Sequence, residues 1–264
     1  MPKSKSTHGL AGLPVLMPLE APASWLTRAA LSQGETVASL LAHLNLFKIR
    51  DFDLAIASDV WRQAAVRSGM YLQFELAAKI FDRVKGLGTD GSRLLLTTQA
   101  GRPRYRFCPQ CLRAQRERYI EMHCRFVPWR FCPTHHCLLE DACPHCQQPV
   151  VLPFDMICAG PKRSGVAYLS QCQSCAGSLT AVEPVEIDDL CLSEWDYMLL
   201  ANGRATLAAL RDGWVCVDDR VEKRLSHLKG LAKMGLIPMR EDWLAASAAR
   251  QTLALRQSVD RERE

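Results

Sequence analysis

Four ligand pairs, each with two residues between its members, limit what this chain can fold into more than any other feature of the sequence. They are Cys108 and Cys111 in RFCPQCL, Cys132 and His135 in FCPTH, Cys143 and Cys146 in ACPHC, and Cys172 and Cys175 in QCQSC. Two intervening residues let both side chains of a tight turn point at one ion, at about 2.3 Å for sulfur and 2.0–2.1 Å for nitrogen. Eight donors suffice for two tetrahedral zinc ions in a structural role. A disulfide framework would not put a histidine in a pair slot and would suit a shorter secreted chain. A dithiol redox centre needs one such pair ahead of a helix, not four in series. Catalytic zinc would leave one position open beside a general base, and neither HExxH nor HxE ahead of PCxxC occurs.

Spacing leaves the sharing of ions open. Sequential pairing puts Cys108, Cys111, Cys132 and His135 on one ion and Cys143, Cys146, Cys172 and Cys175 on the other. Crossed pairing gives the interleaved arrangement of a RING module, whose ligand order the chain also follows. The seven residues between His135 and Cys143 favour two stacked zinc ribbons. His136 directly follows His135 and could replace it. Cys124, Cys137, Cys158, Cys191 and Cys216 are left over, and buried free cysteines mostly act as small hydrophobes.

At 264 residues the chain can bury one or two real cores without staples. Its opening residues superficially resemble a secretion signal, but Pro14 and Pro18 break the apolar run. Histidines among the cysteines fit a reducing compartment, and no stretch approaches the ~18 apolar residues of a membrane span. These features read as cytoplasmic, with no membrane partner.

Outside the cysteine-rich segment the pattern is helical. ASWLTRAALSQG offers Ser24 as N-cap and Gly34 as the residue past the last turn. The next stretch repeats Val37, Leu40, Leu41 and Leu44 at helical spacing. The two helices could form a DNA-reading helix-turn-helix or a plain helical hairpin; Lys48 and Arg50 are the second helix's only basic residues. FDLAIASDVWRQAAVRSG, with Leu54, Ala57, Trp61 and Ala65 on one face, and YLQFELAAKIFDRVKG predict two more helices. SRLLLTTQ predicts a strand. Six acids and no base between Glu183 and Asp196 suggest a linker, followed by a capping box from Ser193 to Asp196. A basic helix from Asp219 to Met234 and a final helix ending in a charged tail complete the chain.

Between Arg102 and His136 lie eight arginines (Arg102, Arg104, Arg106, Arg113, Arg116, Arg118, Arg125 and Arg130) against Glu117 and Glu121 alone. Aromatic residues interleave with them. Arginine forks onto phosphate and stacks on bases, so this segment is the candidate nucleic-acid surface. The alternative is a solvated face whose arginine stems pack on aromatic rings.

RFCPQCL followed by CPTHHCLL and then CPHC resembles the TniQ family, which includes the TnsD-type target selectors of bacterial transposons. LEAPASWLTRAALSQG is similar to that family's opening, with Glu20, Ser24, Trp25, Leu26 and Arg28 at matching positions. The resemblance covers roughly residues 13 to 180. It implies a transposition accessory protein, not an enzyme, that helps select a target and hands it to an AAA+ ATPase regulator. It assigns Cys108, Cys111, Cys132 and His135 to a first zinc and the other four paired cysteines to a second. His136 stands where a glycine is common, and the stretch between Cys146 and Cys172, with its Gly160-Pro161 turn, is a long insertion. The expected architecture is mainly α with small zinc-ribbon β elements. Residues 1–12 form a disordered start, 13–100 a helix-turn-helix-like domain, 101–182 a double zinc ribbon and 183–264 a helical end. Trp25 and Arg28 are expected to meet the ATPase, and DNA, bound directly or through a recognition complex, to meet the arginines. A homodimer is left open. The alternatives from other classes are a RING-type ubiquitin ligase module and a stand-alone zinc-ribbon DNA-binding regulator.

Overall fold

Helices carry the architecture, and three two-stranded antiparallel ribbons punctuate it. The computed structural model describes residues 12–46, 49–68, 74–155, 168–217, 220–222 and 224–261. Ten helices lie among them: α1 Pro22–Ser32, α2 Val37–His43, α3 Phe52–Ala55, α4 Asp59–Ser68, α5 Glu75–Gly86, α6 Thr89–Arg93, α7 Pro109–Ala114, α8 Glu194–Asp212, α9 Ser226–Lys233 and α10 Ala246–Arg261. The strands are β1 Arg104–Tyr105, β2 Phe131–Cys132, β3 Cys137–Leu138, β4 Val150–Val151, β5 Val215–Val217 and β6 Arg220–Glu222. The mainly helical class with small β elements is therefore the one observed. Residues 1–11, Lys48 and the Gly160-Pro161 turn lie outside the described residues.

α1 begins earlier than its cap signal suggested. Pro22 opens the helix, where its missing N–H costs nothing, and Ala21 is the N-cap. Ser24 therefore sits inside the first turn, donating to Glu20 Oε1 at 3.0 Å and accepting the Ile120 N–H at 3.0 Å. Every residue from Pro22 to Ala30 is buried, so α1 is the central helix of the amino-terminal half. Gly34, at φ 68°, supplies the left-handed turn out of it. α2 follows with Thr36 as a working cap (Ser39 N–H to Thr36 Oγ1, 3.0 Å). Its exposed face carries Ala38, Ser39, Ala42 and His43 and no Lys or Arg, unlike a DNA-reading helix.

The helix expected from Phe52 onward is two helices. The chain breaks at Ala57 and Ser58, and the Ser58 hydroxyl accepts the Trp61 N–H at 3.3 Å to start α4. The break turns Trp61 inward onto Phe52 and Phe74, edge to face at 5.0 and 5.5 Å. Trp25 meets Phe74 at 5.2 Å, which completes an aromatic core under α1.

SRLLLTTQ is split between the end of α6 and an extended run. Leu94 and Leu96 accept the N–H groups of Val127 and Arg104, and Leu96 N–H donates to Arg125 O. This run stitches the helical half to the cysteine-rich half. The acidic stretch is not a free linker: Ile187 N–H donates to His136 O at 2.9 Å and Leu138 N–H to Val185 O at 2.8 Å, so it edges the β2–β3 hairpin. α8 carries the expected Ser193–Asp196 capping box. It closes on the cysteine-rich half at Gly203, where a Cβ would stand 2.1 Å from Pro128 O. Of the basic helix expected from Asp219 to Met234, Asp219 lies outside the described residues; among those described, Arg220–Glu222 pairs with Val215–Val217 as a ribbon and only Ser226–Lys233 is helical.

Candidate metal centres and the arginine-rich segment

The first centre joins a helix start to a hairpin. Cys108 is the N-cap of α7, and its sulfur accepts the Cys111 N–H at 3.4 Å. Across from it, β2 and β3 pair Cys132 with Cys137 and leave the turn between them to carry His135. His135 Nδ1 lies 3.6, 3.3 and 3.5 Å from the sulfurs of Cys108, Cys111 and Cys132. Cys111 and Cys132 have their sulfurs 3.5 Å apart. A tetrahedral zinc with ordinary bond lengths has edges of about 3.8 Å between sulfurs and about 3.6 Å from sulfur to nitrogen. The four donors fit that figure.

The second centre is built from two similar turns. Cys143 and Cys175 have their sulfurs 3.7 Å apart, and Cys146 and Cys172 3.6 Å. The Cys143 sulfur accepts the His145 N–H at 3.4 Å, and the Cys172 sulfur accepts the Ser174 N–H at 3.3 Å. Within each centre the four donor atoms all lie within 4.8 Å of one another. Pairing is thus sequential, and the crossed RING arrangement is not the one formed. Backbone N–H groups aimed at sulfur favour the thiolate: Cys175 is held below the ordinary thiol value first by the Gly177 N–H.

His136 has a different job from its neighbour. It is exposed and sits at φ 50°, and the residue after the second ligand is likewise left-handed at Gln147 and Ala176, both φ 59°. Each of the three turns needs that conformation, which explains why glycine suits the position. His135 alone joins the donors.

The eight arginines separate into two groups. Arg106, Arg125 and Arg130 are buried, Arg106 and Arg125 without exposure and Arg130 at 2%. Arg106 donates to the carbonyls of Phe126, Val127 and Trp129 and pairs with Asp141 at 2.6 Å. Arg125 grips Asp51 and Asp53 and stacks over Tyr105. Arg130 donates to the carbonyls of Arg240 and Glu241 and lies over Trp243; burial and Arg106 lower its pKa. Arg104, half-buried, pairs with Glu241. These side chains bind the protein to itself, so the expectation of eight nucleic-acid contacts is corrected. Stems on aromatic rings explain part of it, but buried carboxylates and carbonyls explain more. Arg102, Arg113 and Arg116 are exposed and Arg118 is half-exposed; Arg113 also donates to Thr180 O at 2.7 Å.

Trp25 and Arg28 are corrected in the same way. Trp25 is 1% exposed and donates its indole N–H to Pro14 O at 2.8 Å. Arg28, buried, pairs with Glu20 at 2.6 Å, and burial raises the Glu20 carboxyl against the pull of Arg28. Neither offers a surface. Together they pin residues 14–20 onto α1, leaving Val15 74% and Leu19 39% exposed. Sequence reasoning missed Asp51, Asp53 and Tyr105, whose partners lie far away along the chain; no local pattern marks them.

Residues 12–139, just under half of the chain, match the TniQ family model, so this segment is similar to TniQ proteins. The match takes in all four donors of the first centre and ends before Cys143. TniQ proteins are transposition accessory proteins. Among curated proteins no match to the chain is found. No helix among the described residues is long and apolar enough to cross a membrane.

Proposed function

We propose that this protein is a non-enzymatic transposition adaptor that helps select a target site and bridges target DNA, or a DNA-bound recognition complex, to an AAA+ ATPase regulator. The observation that carries the reading is the TniQ match over residues 12–139. Both centres hold zinc in this reading, because three cysteines with one histidine, or four cysteines, with no open position make structural zinc sites. Zinc fixes α7 and the two ribbons as a rigid block, and the buried arginines lock the helical ends to that block. DNA then meets the exposed Arg102, Arg113 and Arg116 and the half-exposed Arg118. The ATPase meets residues 14–20, where Val15 and Leu19 project from a segment that Trp25 and Arg28 hold in place.

The test is capture of the full chain by an AAA+ transposition regulator, with DNA and ATP. Val15→Asp with Leu19→Asp should lose capture while zinc content and DNA affinity stay unchanged. Capture that survives this double change places the ATPase contact elsewhere. A full-length protein that never binds the ATPase under any nucleotide condition defeats the adaptor reading.

A further inference from the structure

We propose that Cys137 is an outer hydrogen-bond donor to the first metal centre: its S–H points at the sulfur of Cys108 and sets how tightly that centre holds its metal. The inference rests on the centre holding zinc, and zinc analysis of the unaltered protein tests that point separately.

Position comes first. Cys137 opens β3 directly opposite Cys132 in the hairpin register, so the pairing aligns the two side chains on one side of the ribbon, the side of the donors. Its sulfur lies 3.6 Å from the Cys108 sulfur. Yet it is not one of the four mutually close donors, all of which are supplied by Cys108, Cys111, Cys132 and His135. A fifth sulfur touching one ligand from outside is in place to donate to it rather than to bind the ion.

Chemistry follows from burial. Cys137 is 0% exposed and Cys108 4% exposed, so water reaches neither sulfur to any extent. A thiol carries one weak S–H donor, and the metal-bound Cys108 sulfur is an anionic acceptor with the Cys111 N–H already on it. A second donor spreads the negative charge that burial would otherwise leave concentrated on Cys108. Groups that hydrogen-bond metal ligands in this way commonly contribute 10–100-fold to metal affinity. Backbone pairing on both sides keeps Cys137 in reach: Cys137 bridges Cys132 through β2 and Glu186 on its other edge.

The experiment uses the full chain with Cys137→Ala, Cys137→Val and Cys137→Ser. Valine keeps the volume without a donor, and serine keeps a donor. All three should still take up two zinc ions per chain at saturating metal. In chelator competition, alanine and valine should weaken one zinc by roughly 10–100-fold, and serine should recover most of that loss. With cobalt in place of zinc, the sulfur-to-metal absorption band should move in the alanine and valine variants and return in serine. Unchanged affinity and an unmoved band in the valine variant would make Cys137 a packing residue only. Equal losses in serine and valine would assign the effect to shape. A variant saturating at one zinc would make Cys137 a ligand, and the proposal would fail.

Discussion

Arg125 Nη1 stands 3.0 Å from Asp53 Oδ2, and neither side chain has any exposure to solvent. The pair joins segments 72 residues apart: α3 on one side and the turn before the first metal hairpin on the other. Asp53 also accepts the Ala23 N–H at 3.0 Å, at the start of the central helix, and the Tyr105 hydroxyl proton. Arg125 reaches Asp51 and the Leu96 carbonyl as well. One carboxylate and one guanidinium therefore hold α1, α3, β1 and the metal-binding half together. Burial raises the Asp53 carboxyl, and Arg125 pulls it back down.

Removing one side of such a pair strands the other charge. Asp53→Ala or Arg125→Ala should each cost about 3–5 kcal/mol, measured by urea unfolding of the zinc-loaded protein. Arg125→Lys should recover little, because an ammonium cannot fork onto Asp51 and Asp53 while donating to Leu96 O. An alanine variant within about 1 kcal/mol of the parent, on the order of a surface change, would remove the network from this role.

The sign of the pH dependence follows from three buried carboxyls. Asp53, Glu20 and Glu140 are all raised above their ordinary values of 3.8, 4.5 and 4.5, each chiefly by burial. A raised group contributes stability that is full below its ordinary value and lost as pH climbs through the raised one. Acidification therefore removes no stability through these three. Loss of structure on acidification should instead follow protonation of the metal ligands, and so track zinc release. Monitored together by circular dichroism and a zinc dye, the two transitions should coincide, and added zinc should shift both to lower pH. An acid transition indifferent to zinc would point to a carboxylate that the fold holds below its ordinary value.

The eight donors and the helical class were legible because both are local patterns: two-residue spacing and a 3.6-residue period. The capping box at Ser193 was legible for the same reason. Ser24 misled because a serine before an apolar run looks like a cap, whereas Pro22 already starts the helix and the Ser24 hydroxyl is needed by Glu20 and Ile120. Arg106, Arg125 and Arg130 misled because charge density along a sequence says nothing about carboxylates that arrive from elsewhere. The Asp53 carboxylate lies 72 residues from Arg125, and the Glu241 backbone carbonyl lies 111 residues from Arg130. The acidic stretch read as a linker since its inward residues, Val185 and Ile187, alternate with Glu186 as a strand over too few residues to register.

Zinc stoichiometry tests the sequential pairing directly. The intact protein should carry two zinc ions per chain by elemental analysis. Cys108→Ser and Cys132→Ser should lose the same ion, and Cys143→Ser the other, since the donor sets share no residue. The double change Cys108→Ser with Cys132→Ser should then lose no more metal than either alone. Additive loss in that double variant would contradict the clusters seen in the fold.

The division of the arginines makes the last prediction. Arg116 and Arg118 enter no ion pair among the described residues, whereas Arg106 and Arg125 are buried and paired with carboxylates inside the fold. Each phosphate contact contributes a slope of about −0.9 in log affinity against log salt on duplex DNA. Arg116→Ala with Arg118→Ala should therefore make the slope shallower by up to about 1.8 and leave the melting temperature and zinc content alone. Arg106→Ala should do the reverse, lowering stability because it leaves three backbone carbonyls and Asp141 without their donor. Fluorescence anisotropy over a salt series, beside thermal melts of the same samples, separates the two effects. A well-folded Arg116 and Arg118 double variant with an unchanged slope would move DNA contact off this face of the protein.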